Sequence, residues 1–95
     1  MLKKEKAEYK YEAMIIYDKA FENFHSELKK SFEEYDAEIC ETKFWGLKNI
    51  PVKINGHNKG FYIIVTFKCE SKAFKDVSKY LRTKKEILRH LIVAV

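Results

Sequence analysis

Two segments of alternating apolar and polar residues, joined by a turn that contains glycine, constrain the fold of this chain more than any other feature. They span residues 38–54 and 61–68, and the turn between them spans residues 55–60. Alternation with a period of two predicts β-strands, and the short connection with glycine predicts an antiparallel hairpin. Gly46 predicts a bulge in the first strand. Pro51 lacks an amide hydrogen, so this strand is predicted to lie at an edge of the sheet.

A strand and a helix precede this hairpin, and a helix and a strand follow it. Alternation over residues 9–17 predicts the first strand, and the apolar run over residues 87–95 predicts the last. Apolar residues in steps of three and four predict two amphipathic helices, the first after an N-cap at Asp18 and the second after an N-cap at Ser71. This order of elements is typical of ferredoxin-like domains. We therefore predict an α+β fold with a four-stranded antiparallel sheet and both helices on one face.

Length, charge and cysteine usage narrow the class of protein. The 95 residues fit one domain, which we place at residues 9–95, after a flexible basic N-terminal arm at residues 1–8. Nineteen lysines and arginines against 14 acidic residues give a net charge of +5, which suits phosphate binding and also many other soluble proteins. The two cysteines form no Cys-x-x-Cys motif, and no apolar run approaches the roughly 18 residues that span a bilayer. We expect a cytoplasmic protein without membrane contact.

Four groups of residues, in the order of the predicted elements, resemble those of a known family. They are Tyr11-Glu12-Ala13-Met14-Ile15, Tyr35-Asp36-Ala37, the hairpin residues Trp45-Gly46-Leu47-Lys48 with Lys59-Gly60-Phe61-Tyr62, and Leu81-Arg82 with Ile87-Leu88-Arg89-His90-Leu91-Ile92-Val93. In this order they resemble bacterial-type small-subunit ribosomal protein six. The chain departs from that pattern where Asp36 replaces a glycine, Leu47-Lys48 a pair of basic residues, and Val52-Lys53 a Tyr-Pro pair.

The resemblance implies a structural constituent of the small ribosomal subunit, which binds small-subunit ribosomal RNA together with small-subunit ribosomal protein eighteen. Phosphate binding requires cations on a rigid support, because neutralised phosphates release their counterions. The predicted RNA contacts are Lys48, Lys53 and Lys59 in the hairpin arm (residues 48–60), Arg82, Lys84 and Lys85 before the last strand, and Arg89 within it. The predicted contacts with the protein partner are Tyr9, Tyr11, Trp45 and Tyr62.

Other interpretations compete with this one. A ferredoxin-like protein-interaction module with no RNA role would have the same fold. An RNA-recognition motif is disfavoured because Ile63 replaces a stacking aromatic residue of its third strand. An enzyme is disfavoured because the three histidines lack metal-ligand spacing, and we predict no catalytic residue, metal, cofactor or small-molecule substrate. For Arg89, the alternative to RNA contact is an ion pair with a helix carboxylate.

Overall fold

The computed structural model describes residues 8–18, 23–54 and 56–95, without the side chains of residues 51–54 and 57. The elements are β1 (Tyr9–Tyr17), α1 (Phe24–Glu34), β2 (Glu38–Ile54), β3 (His57–Cys69), α2 (Ser71–Thr83) and β4 (Ile87–Ala94). The four strands form one antiparallel sheet in the order β2-β3-β1-β4, which confirms the predicted fold. Residues 1–7 of the predicted N-terminal arm lie outside the described residues, so that prediction stays a prediction.

One face of the sheet is covered by both helices. Ala13 and Ile15 on β1 lie opposite Val65 and Ile63 on β3, and all four side chains are fully buried. The helices add their own apolar stripes to this core, which are Phe24, Leu28 and Phe32 from α1 and Ala73, Val77 and Leu81 from α2. Each large side chain that is removed from water here stabilises the fold by about 1.5–3 kcal/mol. The predicted apolar stripes are therefore core, as helical spacing indicates.

The other face of the sheet is open. Successive residues of a strand point to opposite faces, so Met14 and Ile16, which alternate with the core residues of β1, point away from the helices. Their partners across the sheet lie on the same face, with Ile64 opposite Met14 on β3 and Arg89 opposite Ile16 on β4. Leu91, opposite Met14 on β4, is 57% exposed. The open face thus combines apolar residues with at least one exposed cation.

The end of α1 explains how the chain tolerates Asp36 at the predicted glycine position. Asp36 has a φ of 60°, in the left-handed region. Its N–H donates to the carbonyl of Glu33 at 3.1 Å, and the Ala37 N–H donates to the carbonyl of Phe32 at 2.8 Å. These two bonds are those of a Schellman motif, and Phe32 and Ala37 are both buried in the core. The hydrogen bonds and the buried contact stabilise a backbone conformation that aspartate alone does not favour.

The start of α1 differs from the prediction. The structure places the N-cap of α1 at Asn23, so the predicted cap at Asp18 is wrong, and that of α2 at Glu70, one residue before the predicted cap at Ser71. The N–H of Asp18 donates to the carbonyl of Glu86 at 2.9 Å. This bond ties the chain after β1 to the turn before β4, so Asp18 belongs to the end of the sheet.

Candidate nucleic-acid interface

The hairpin arm and the turn before β4 leave the sheet at the same end. Tyr17, the last residue of β1, lies opposite Phe61 near the base of the hairpin arm and opposite Ile87 at the start of β4. Lys59 and Lys85 each lie two residues before one of these partners. The sheet topology therefore brings the predicted cations of two distant segments to one end of the molecule.

The hairpin arm carries two exposed lysines on a paired backbone. Lys48 lies opposite Gly60, and Lys59 lies opposite Asn49. Gly46 has a φ of +89° at the predicted bulge, and Gly56 has a φ of +82° in the turn. Neither lysine has an ion pair with a described side chain, so both ammonium groups are free to bind an anion. The side chain of Lys53 lies outside the described residues, and its predicted role stays a prediction.

Arg89 lies exposed on the open face of the sheet. Its cross-strand partner on β1 is Ile16, an apolar residue that cannot neutralise its charge. It forms no ion pair with any of the described carboxylates, because the helices that carry many of them cover the opposite face. The alternative prediction, an ion pair with a helix carboxylate, is therefore wrong for the described part of the chain.

The cations before β4 are not equivalent. Lys84 forms an ion pair with Glu27 of α1, and its hydrogen bond with that carboxylate raises the pKa of Lys84 above its usual value. Arg82 and Lys85 are exposed and have no ion pair among the described residues. Burial and the nearby charge of Arg82 lower the pKa of His90, so its imidazole is neutral at pH 7 and adds no positive charge here. Among the predicted RNA contacts whose side chains are described, Lys84 is thus the least available.

The four aromatic residues predicted to contact a protein partner do not form one surface. Tyr11 lies on the helix-covered face and stacks on Phe74, with ring centroids 4.6 Å apart. Tyr9 is exposed at the start of β1. Tyr62 is half-buried on the open face, and Trp45 is 51% exposed on β2, between the paired residues Phe44 and Gly46.

An exposed apolar cluster on the edge strand β2 was only partly predicted. Phe44, Trp45 and Leu47 are 53%, 51% and 47% exposed. Of these, only Trp45 belongs to the predicted contacts with a protein partner. Beside this cluster, an open groove of about 330 Å³ runs between α1 and β2 and is lined in part by His25 and Ile39. The sequence signal was available, since three large apolar residues lie within four positions of a strand that Pro51 marks as an edge.

The described residues contain no group of side chains that could hold a metal ion. No helix in that part of the chain is long and apolar enough to cross a membrane.

Comparisons with known proteins agree with this architecture. The family model described as Ribosomal protein S6 matches residues 10–94. A curated relative, "Small ribosomal subunit protein bS6" of Caulobacter sp. (strain K31), is 27% identical over 74 residues, which cover 78% of this chain and 59% of that protein. The crystal structure of the 30S ribosomal protein S6 from Thermotoga maritima has a TM-score of 0.82 at 24% identity, and the match covers 94% of this chain and 89% of that one. The chain therefore belongs to the ribosomal protein S6 family, whose members are structural proteins and not enzymes.

Proposed function

We propose that this chain is a structural constituent of the small ribosomal subunit in the cytoplasm, where it binds small-subunit ribosomal RNA as part of a ribonucleoprotein. One observation carries the proposal: Lys48, Lys59 and Arg89 lie exposed toward one end of the sheet without an ion pair among the described residues. Cations without a protein partner gain most from phosphate binding, because each neutralised phosphate releases condensed counterions. The proposal also includes Arg82 and Lys85, which are exposed at the end of α2 and in the turn before β4.

The mechanism is positioning of folded RNA, without stacking of single-stranded bases. A module that stacks bases needs aromatic rings on the open face of its two central strands. Here those positions are occupied by Met14 and Ile16 on β1 and by Ile64 beside Tyr62 on β3. One half-buried ring cannot support a run of stacked bases. Contacts with the phosphates and the shape of an RNA helix or junction are what such a surface supports.

We further propose that small-subunit ribosomal protein eighteen contacts the exposed edge of β2. Edge strands present unpaired backbone groups, and exposed apolar side chains beside them favour protein contacts. Phe44, Trp45 and Leu47 provide such side chains, and Trp45 belongs to the predicted set of partner contacts. Replacing Trp45 with Ala should weaken binding of the purified partner, measured by calorimetry, and leave the salt dependence of RNA binding unchanged. If the wild type and the Trp45→Ala variant bind the partner with equal affinity, the edge of β2 is excluded as the contact.

The RNA proposal is tested by two triple variants that remove the same charge. The first replaces Lys48, Lys59 and Arg89 with Ala, and the control replaces Lys72, Lys75 and Lys79, which are exposed on α2. Binding to transcribed small-subunit RNA is measured over a range of salt concentrations. If all three residues contact phosphates, the slope of log K against log salt should fall by about 2 in the first variant and much less in the control.

Two outcomes separate this proposal from its alternative. Equal salt slopes for both triple variants would mean that only the net charge of the protein affects RNA binding and that the predicted contacts are wrong. A wild-type protein that binds the partner, but neither RNA nor small subunits in a sucrose gradient, would favour the protein-interaction module without an RNA role.

A further inference from the structure

Ile50 is buried at the end of a strand that is otherwise exposed. From Cys40 to Asn49, every residue of β2 except half-buried Gly46 is exposed. Ile50 follows directly and is only 6% exposed, although it is not part of the main core cluster beneath the helices. Its side chain must therefore be covered by something outside that core.

Among the described residues, Gly60 and Ile16 lie next to Ile50. A Cβ placed on Gly60 would lie 3.4 Å from Cδ1 of Ile50 and 2.8 Å from Cγ2 of Ile16. Gly60 has no positive φ, so the space above it, and not its backbone conformation, requires glycine here. Ile16 is only 4% exposed, although it points to the open face. Ile50 thus packs over the backbone of β3 and beside the side chain of β1, and we call these three residues the arm anchor.

The arm anchor lies beside the proposed RNA contacts. Ile16 has Arg89 as its cross-strand partner on β4 and Tyr62 as its partner on β3. Tyr62 adds a second link to the hairpin arm, because its hydroxyl donates a long hydrogen bond of 3.5 Å to the carbonyl of Asn49. Lys48 lies only two residues before Ile50. A fixed position of Ile50 over Gly60, beside Ile16, therefore fixes the relation between Lys48 and Arg89.

We propose that Ile50 is a positioning residue for RNA binding, which acts by holding the hairpin arm in its bound orientation before RNA arrives. The inference rests on the proposed function and adds how its affinity is achieved. A hairpin that extends beyond its sheet loses conformational freedom when it binds, and that loss weakens binding unless the free protein already holds the conformation. Packing of Ile50 against Ile16 and Gly60 removes this cost in advance.

The test compares Ile50→Ala with Lys48→Ala in binding to a transcript of the small-subunit RNA at several salt concentrations. Ile50→Ala should weaken binding by about fivefold to tenfold, because an arm with one or two more mobile residues must be ordered on binding. Its salt slope should be unchanged, since no phosphate contact is lost. Lys48→Ala should instead reduce the slope by about 0.7–0.9. Ile50→Leu, which conserves volume, should restore most of the affinity.

Ile39→Ala provides the matched control. Ile39 lies on the same strand and packs against the main core, far from the arm, so this variant loses stability without freeing the arm. It should bind RNA like the wild type at temperatures where it is folded. In the free proteins, the backbone amides of the hairpin arm should exchange hydrogen faster in Ile50→Ala than in Ile39→Ala.

Each outcome decides the proposal. Wild-type affinity of Ile50→Ala, or an equal loss in Ile39→Ala, overturns the positioning role while the RNA proposal stands. A wild-type protein that binds no RNA overturns both, and the exchange measurement then still shows whether the arm anchor restrains the arm.

Discussion

Gly60→Ala should destabilise the fold by about 2 kcal/mol, because the added methyl group has no room. Its carbon would lie 2.8 Å from Cγ2 of Ile16 and 3.2 Å from the carbonyl oxygen of Tyr17. Carbon atoms in contact are normally about 3.5–4.0 Å apart. Ile16 cannot turn away easily, since a β-branched side chain has restricted χ1 rotamers and this one is 4% exposed. Inserting a methylene-sized group into such a site typically costs about 1–3 kcal/mol.

Urea denaturation followed by circular dichroism gives the free energy of unfolding, and a double-mutant cycle identifies the cause. Ile16→Ala removes the atom that clashes, so the double variant should be more stable than the sum of the single effects by about 1 kcal/mol. The series is measured in a stabilising osmolyte so that every variant is folded at the start of the titration.

Gly46→Ala is the matched control, because it costs stability for a different reason. A Cβ on Gly46 would meet nothing within 4 Å, but its φ of +89° is unfavourable for alanine. Its effect should add to that of Ile16→Ala without coupling. The reasoning about the arm anchor is wrong if Gly60→Ala costs less than about 0.5 kcal/mol, or if it couples to Ile16→Ala no more than Gly46→Ala does.

Two further variants test the ends of the helices. Asp36→Gly should stabilise the protein by about 0.5–1 kcal/mol in urea denaturation, because glycine accepts the φ of 60° and removes a negative charge from a helix C-terminus; Asp36→Ala, which removes the charge alone, should not reproduce the gain. Glu27→Gln should cost less than about 1 kcal/mol at neutral pH, as expected for a half-exposed ion pair with Lys84. The pKa of Lys84 is raised in the folded protein, so the ion pair contributes fully below the usual lysine pKa of 10.5 and is lost as pH rises through the raised value. The free energies of unfolding of the wild type and Glu27→Gln should therefore converge at alkaline pH.

The strands and their order could be predicted because alternation, glycine and proline are local signals. Gly46 lies at the bulge and Pro51 on the edge strand, as their backbone chemistry requires. The start of α1 could not be predicted in the same way. Asp18 has the side chain of a good N-cap, yet α1 begins after Asn23, which forms no side-chain cap hydrogen bond. A helix that begins without a side-chain cap leaves no N-cap signal in the local sequence.

The sequence of β1 does not show which face of the sheet is open. On β1, Tyr11, Ala13 and Ile15 alternate with Met14 and Ile16, so both faces of the strand are apolar. Ile16 is buried on the face without helices, where it lies beside Gly60 of the hairpin arm. Because of this second, small apolar contact, the sequence of β1 does not show the usual difference between a core face and a solvent face. The prediction therefore assigns Tyr11 to the partner contacts, although it packs against Phe74 of α2.

The charges on the open face are separated along the strands, which net charge does not show. Glu12, Glu38 and Glu41 lie at the end of the sheet that is far from the hairpin arm. Lys10 and Lys68 lie at that same end and balance part of the negative charge. Arg89 and Lys43 lie nearer the arm and Lys48 lies within it, all in rows of paired residues without a described carboxylate.

This separation is large enough to orient a polyanion. Ile16, the partner of Arg89, is four residues from Glu12 along β1, a distance of about 13 Å. The Debye length at physiological salt is about 8 Å, so a phosphate near Arg89 is largely screened from Glu12. A phosphate placed over Glu12 would meet the three carboxylates of that end and its two lysines, which leaves a net repulsion. We therefore expect the proposed RNA contact to lie toward the arm end of the sheet. In this proposal, the arm anchor sets where the arm lysines lie, and the charge separation sets the end of the sheet that the RNA approaches.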